Sequence, residues 1–285
     1  MQGPRILVMD GNLAKLRTRQ REMLGYDSGE GYRQILNRLD PAIRADIVCP
    51  ADADIAFPTG VALADYDGAT MTGSALNIYD GGPAIERQVA LAQAVFSEGV
   101  PFFGSCWGLQ VGVTAAGGKV IRNPRGREFG YARRIALTEA GRDHALFSGK
   151  PAVFEAPTVH LDSIDVLPPG AVVLAQNEVS LQATAFNFLR GTFWGVQYHP
   201  EYDPIDIGAV AERYGTRLVD EKFFASEAAL QDFAAEMKHL QANLHDPVLN
   251  WKYGLGPGVT DEATRLLELR NWLKHQVMPR VRLRH

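Results

Sequence analysis

An open, mostly parallel α/β sheet in three layers is what this 285-residue sequence predicts, and three observations carry that expectation. Short apolar runs rich in β-formers recur in the first third of the chain, each ending on turn residues. A stretch with helical apolar spacing separates two of them. Two of the turns place glycine at the end of a strand. Strands that alternate with helices pair in parallel through right-handed crossovers, and ligands collect at the carboxyl ends of such strands.

The first run, Arg5 to Met9, stops at Asp10-Gly11-Asn12, and the second, Asp46 to Cys49, stops at Pro50. A third, Gly68 to Met71, ends at Thr72-Gly73-Ser74, and a fourth, Val100 to Phe103, at Gly104-Ser105-Cys106. Between the last two, Ile85, Val89, Ala92 and Phe96 fall at i, i+4, i+7 and i+11, which keeps one helix face apolar. Pro83 suits that helix's first turn, where no backbone donor is needed. After about residue 130 the pattern changes to shorter β-like runs at Arg133 to Leu137, Ala152 to Glu155, Val172 to Ala175, Ala183 to Phe188 and Thr192 to Gln197. This half is expected to be richer in antiparallel pairing.

From about Asp206 the chain turns helical, with Leu230, Phe233, Met237, Leu240 and Leu244 on one face. A break at Gly254-Leu255-Gly256-Pro257-Gly258 precedes a last helix carrying Leu266, Leu269 and Leu273. The division expected is a catalytic unit over residues 1–205 and a helical extension over 206–285, packed on that unit or forming a homo-oligomer interface through Trp251, Tyr253 and Trp272.

A formal charge of −4, with basic residues dispersed, offers no extended footprint for nucleic acid. The basic end Arg280, Arg282, Arg284 and His285 reads as a solvated tail. No apolar run reaches the roughly 18 residues a spanning helix requires, so no membrane partner is expected. The start Met1-Gln2-Gly3-Pro4-Arg5 lacks the basic-then-apolar order of an export signal, and with two cysteines, Cys49 and Cys106, a reducing cytoplasm fits best. No Cys-x-x-Cys pair, Walker loop or dinucleotide fingerprint occurs, so neither a metal nor another cofactor is expected.

Chemistry concentrates in two motifs. In Gly104-Ser105-Cys106-Trp107-Gly108, glycines flank a cysteine between an apolar strand and the expected helix Gly108 to Ala116. Such a turn lifts a side chain clear of the sheet, and the helix N-terminus favours the nucleophilic thiolate. Packing at a tight turn is the plainer reading of that cysteine alone. In Gly195-Val196-Gln197-Tyr198-His199-Pro200-Glu201, His199 has the chemistry of a base and Glu201 that of a group that orients it. Pro200 restricts His199 to extended conformations, so His199 and Glu201 project to one side.

Together the motifs resemble the class I glutamine amidotransferase family, and among its members the glutaminase domain of GMP synthetases, with γ-glutamyl peptidase relatives also in view. The resemblance spans roughly residues 5 to 203, including Glu128-Phe129-Gly130 and His160-Leu161-Asp162. It implies a flavodoxin-like fold and hydrolysis of a γ-carboxamide through a glutamyl thioester. Cys106 would be the nucleophile, His199 the proton carrier and Glu201 its support. The backbone at Gly73 and Trp107 would meet the oxyanion, while Ser74, Gln110 and the backbone near Val159 and His160 would hold the glutamyl head.

Two features depart from the family pattern. The loop after the third run reads Thr72-Gly73-Ser74-Ala75 where Gly-Gly-Pro is common, and Gly81-Gly82-Pro83 comes too late to replace it. Trp107 stands where a smaller aliphatic is frequent, and its indole is expected to reshape the acceptor side of the pocket. The substrate is therefore glutamine, with ammonia passed to a separate synthetase, or a γ-glutamyl amide or peptide cleaved by a free-standing hydrolase. A silent binding protein that keeps the fold is a third reading. His160 is open between a structural and a pocket role, and Cys49 reads as inert packing.

Overall fold

The computed structural model describes residues 3–284; Met1, Gln2 and His285 lie outside them. Its main sheet has nine strands in the order β2-β1-β3-β4-β11-β10-β9-β6-β7. The first five are β2 (Arg44–Val48), β1 (Arg5–Met9), β3 (Gly68–Met71), β4 (Phe102–Ser105) and β11 (Gly191–Val196), all paired in parallel. The other four are β10 (Leu181–Phe188), β9 (Val172–Gln176), β6 (Glu128–Leu137) and β7 (Val153–His160), joined by antiparallel pairing. All except β10 and β6 point the same way. The fold is an α/β open sheet, mostly parallel, as expected.

The second half is richer in antiparallel pairing, as expected, and one of its strands also joins the parallel half. The last run of that half, β11, pairs along its whole length with its hairpin partner β10 and on its other edge pairs in parallel with β4, Val196 opposite Ser105. Phe193 and Trp194 give it the two buried faces that a central strand requires. A further small sheet, β5 (Lys119–Arg122) against β8 (Asp162–Val166), comes from half-exposed segments without a clean apolar alternation.

Helices cover both faces. On one side α1 (Ala14–Leu24) and α2 (Ser28–Leu39) follow β1; on the other, α3 (Pro83–Ser97) and α4 (Trp107–Ala115) precede and follow β4. Pro83 opens α3, with Gly82 at φ 92 before it. Ile85, Ala92 and Phe96 are buried there, and Phe96 packs edge-on to Phe193 at 6.0 Å. A short α5 (Glu139–Asp143) joins the antiparallel strands.

The chain after β11 divides its apolar residues between two places. In α6 (Pro204–Tyr214), α7 (Thr216–Asp220) and α8 (Glu227–Ala242), Ile207, Leu218, Leu230, Phe233, Met237 and Leu240 form one cluster with Tyr131 of β6. Leu244, which continues that spacing, lies beyond the end of α8 at Ala242. After α9 (Pro247–Tyr253) and α10 (Pro257–Thr260), the run α11 (Glu262–Arg265), α12 (Leu267–Trp272), a π turn (Leu273–Val277) and α13 (Met278–Arg284) lies against the sheet. Trp272 is fully buried, 6.0 Å from Phe103, whereas Trp251 is 86% exposed. Of the basic end, Arg280 is not solvated: it donates to the carbonyls of Tyr66 (3.0 Å), Gly99 (2.9 Å) and Ala64 (3.3 Å), while Arg282 is exposed and the Arg284 side chain and His285 lie outside the described residues. No helix among the described residues is long and apolar enough to cross a membrane.

Candidate active site

The sheet order places the two motifs side by side. Cys106 follows β4 and Gln197 follows β11, and since these strands are parallel neighbours, both motifs emerge at the same edge. The Cys106 N–H donates to the Val196 carbonyl at 2.8 Å, which locks one motif to the other. Cys106 itself has φ 52 and ψ −100, a strained conformation outside the helix that follows. Glycine is required around it, because a Cβ on Gly104 would collide with the Gly108 backbone and one on Gly108 with the Met71 carbonyl. The close strand-to-helix turn read from the sequence is thus present, and α4 begins one residue earlier than expected.

His199 is 1% exposed, and its Nδ1 lies 2.8 Å from Glu201 Oε1. That contact turns Nε2 toward the hollow where Cys106 lies; Nε2 is buried without a hydrogen-bonded partner. Burial pushes the imidazolium toward neutrality, but the charges of Glu201 and Cys106 outweigh it and raise the His199 pKa from 6.5 to about 10. Tyr202 stacks on the ring at 4.0 Å with an interplanar angle of 7° and fixes its plane.

Gly73 lies directly against this histidine. A Cβ there would sit 2.5 Å from His199 Cε1, while the Gly73 carbonyl accepts from Asn12 Nδ2 at 3.2 Å and Thr72 Oγ1 at 3.0 Å. Gly73→Ala is expected to displace the imidazole and lower kcat on the order of 10²-fold, with circular dichroism unchanged. Steady-state kinetics beside a thermal melt would check it.

The thiol opens on a cleft of about 420 Å³ lined by Ser74, Gln110, Val159, His160, Arg127, Tyr214 and others. Cys106 Sγ is 3.5 Å from the Val159 carbonyl. His160 lines the cleft, but both its ring nitrogens are engaged: Nδ1 with the Asp162 carbonyl and Nε2 with Glu128 Oε2, each at 2.9 Å. Glu128 also accepts from Asn177 and Gln182 at 2.6 and 2.8 Å. The ring of His160 is therefore structural, and only its backbone is available to a ligand.

Trp107 overturns the expectation that it reshapes the pocket. Its indole is fully buried toward α3, where Nε1 donates to Gln88 Oε1 at 2.7 Å, and it presses on Gly11. A side chain at the first position of α4 points back along the helix into that core, leaving only its backbone N–H at the thiol. Cys49 is half-buried, and burial pushes its thiol up to about 11. Iodoacetamide near neutral pH should therefore label Cys106 faster than Cys49, on the order of 10²-fold, as read by peptide mass mapping.

Several residues around the site were not legible beforehand. Asn12 and Tyr202 share the hollow at His199, Tyr32 Oη meets Ser105 Oγ at 3.0 Å beneath the turn, and Arg213, Tyr214 and Arg217 come from α6 and α7. Asn12 could have been found by the rule that sites gather at strand ends, since it closes the turn after β1. The arginines carried no local signal. Among the described residues, no cluster of three or more His, Cys, Asp or Glu could hold a metal ion.

The sheet thus presents a cysteine on a glycine-flanked strand-to-helix turn, beside a histidine held by a carboxylate. The class I glutamine amidotransferase family profile matches residues 33–211. Over 98% of this chain and 95% of the relative, the sequence is 32% identical to a γ-glutamyl-L-1-hydroxyisopropylamide hydrolase from a Pseudomonas species. It is 38% identical to a GMP synthase of Thermomicrobium roseum, across 42% of this chain and 21% of that enzyme, so it spans only a fraction of such synthases. A glutamine amidotransferase from Thermotoga maritima superposes with TM-score 0.65 at 17% identity, covering 97% of this chain and 99% of that one. The chain belongs to the class I glutamine amidotransferase family.

Proposed function

We propose that the chain is a free-standing γ-glutamyl amide hydrolase, with Cys106, His199 and Glu201 as its catalytic triad. The observation that carries this choice is the end-to-end match, helical extension included, to a γ-glutamyl amide hydrolase, whereas the GMP synthase match covers only part of the chain. Delivery of ammonia to a separate synthetase is the rival reading, which the partial GMP synthase match favours. The extension after about residue 205 belongs, on this reading, to one catalytic unit. A reducing compartment such as the cytoplasm suits the free thiol.

The Cys106 thiolate attacks the γ-carbonyl carbon, and the oxyanion is met by the backbone N–H groups of Trp107 and Gly73, donors worth on the order of 3 kcal/mol each. The carbon–nitrogen bond breaks as His199 Nε2 gives its proton to the departing amine. Water then adds to the thioester, losing a proton to the same nitrogen, and glutamate leaves as the thiol re-forms. Ser74, Gln110 and the backbone at Val159 and His160 face the cleft where the glutamyl head lies. The test is glutamate release from glutamine and from a set of γ-glutamyl alkylamides by the isolated chain. Brisk turnover of a substituted amide supports the hydrolase; release from glutamine alone, and only with a synthetase added, would reject it.

A further inference from the structure

Two hollows diverge from the Cys106 thiol. One is the cleft described above, and the other, of about 260 Å³, is lined by Asn12, Gly73, His199, Tyr202, Arg213 and Tyr214 among others. If the proposed chemistry holds, the leaving amine must lie in the second, because only there can His199 Nε2 reach its nitrogen. Arg213 stands out in that hollow. Arg127 and Arg217 share the single carboxylate of Glu221, at 2.6 and 3.3 Å, whereas Arg213 lies 5.6 Å over the Tyr214 ring and forms no ion pair with a carboxylate among the described residues. Asn12 adds a buried amide oxygen without a partner.

We propose that this hollow is a subsite for amines that carry an oxygen acceptor, a hydroxyl or a carboxylate, on their carbon chain, with Arg213 as the specificity residue. A guanidinium donates in a fixed fork, and an amine without oxygen leaves those donors unanswered. The inference rests on the hydrolase reading. Its test compares kcat/KM on three γ-glutamyl amides of similar size, those of isopropylamine, 1-hydroxyisopropylamine and alanine, for wild type, Arg213→Gln and Arg213→Lys. Wild type should favour at least one oxygenated amide over the isopropylamide by about 10-fold or more, the preferred arm telling hydroxyl from carboxylate. Arg213→Gln should bring that ratio within about 3-fold of unity, and Arg213→Lys should hold it between. A wild-type ratio near unity, or a ratio kept in Arg213→Gln, would overturn the subsite. Turnover of none of the three amides would remove the hydrolase reading as well.

A separate observation concerns Arg265, at the end of α11 and only 2% exposed. Its Nη1 donates to the carbonyls of Pro200 at 2.9 Å and Tyr202 at 2.8 Å, the two residues that bracket Glu201, and its Nη2 pairs with the Asp203 carboxylate. Glu201 is held at one oxygen by His199, and its Oε2 has no partner, so its place depends on the backbone that Arg265 grips. We infer that Arg265 is a positioning residue through which the C-terminal helices hold the His199–Glu201 pair in register. Arg265→Met should lower kcat on the order of 10²-fold with little change in KM, and shift the alkaline limb of kcat downward in pH as Glu201 retreats from His199. Arg265→Lys should restore part of both, and it carries the test if Arg265→Met does not fold. A lower Tm with the kcat pH profile unmoved in the folded variant would leave Arg265 a stabilising residue and end the inference.

Discussion

Cys106→Ala is expected to reduce kcat/KM on every γ-glutamyl amide by on the order of 10⁴-fold or more, since the nucleophile of a triad acts as a unit with its base. The variant should fold normally. Alanine loses only a small side chain whose sulfur meets the Val159 carbonyl at 3.5 Å, while the turn is held by the Cys106 backbone bond to Val196. Cys106→Ser tests the nucleophile more sharply. Serine fits the same space, yet an alkoxide is far harder to form than a thiolate, so Cys106→Ser should be nearly as inactive while keeping substrate affinity. Rapid quench with a slow γ-glutamyl amide should trap a glutamyl adduct on wild type at this residue, seen as added mass on the Cys106 peptide. Turnover in either variant near the wild-type rate would show that another group attacks.

How the site comes together also explains what could be read from sequence. The Gly104–Gly108 turn was legible because its geometry is local: a strand, a cramped turn and a helix follow one another within a few residues. The adjacency of Cys106 and His199 was implied only by the family resemblance of the two motifs and not by local pattern, because it depends on β11 entering the parallel half of the sheet next to β4, a choice made by long-range packing. Trp107 shows the same limit. Its identity suggested an effect on the pocket, but its direction is set by the helix backbone and by the Gln88 acceptor in α3. Arg265 is the extreme case, since nothing near residue 265 signals that it grips residues 200, 202 and 203. Residues that act through their neighbours in chain order could be read from local pattern; those that act across the fold could be read only where the two motifs together resemble a family, and Arg265 lies outside both.

Glu201→Gln should lower kcat by on the order of 10²- to 10⁴-fold and change its pH dependence in a defined direction. An amide presents neutral groups to His199 Nδ1 in place of a carboxylate, so the imidazolium loses the largest charge that opposes its burial. With Glu201 present, His199 is held at about 10 against an ordinary 6.5. If the protonated ring must deliver a proton to the leaving amine, wild-type kcat persists at mildly alkaline pH and falls as pH approaches that value. The limb should move toward neutral pH in Glu201→Gln. Stability supplies an independent reading of the same shift. A histidine whose folded pKa is raised stabilises the fold fully below its unfolded value, and that contribution disappears as pH rises through the folded one. The deficit in Tm of Glu201→Gln should therefore be widest below about pH 6.5 and shrink as pH rises toward about 10. An alkaline limb that stays in place while kcat falls would mean that Glu201 orients the ring without holding its charge.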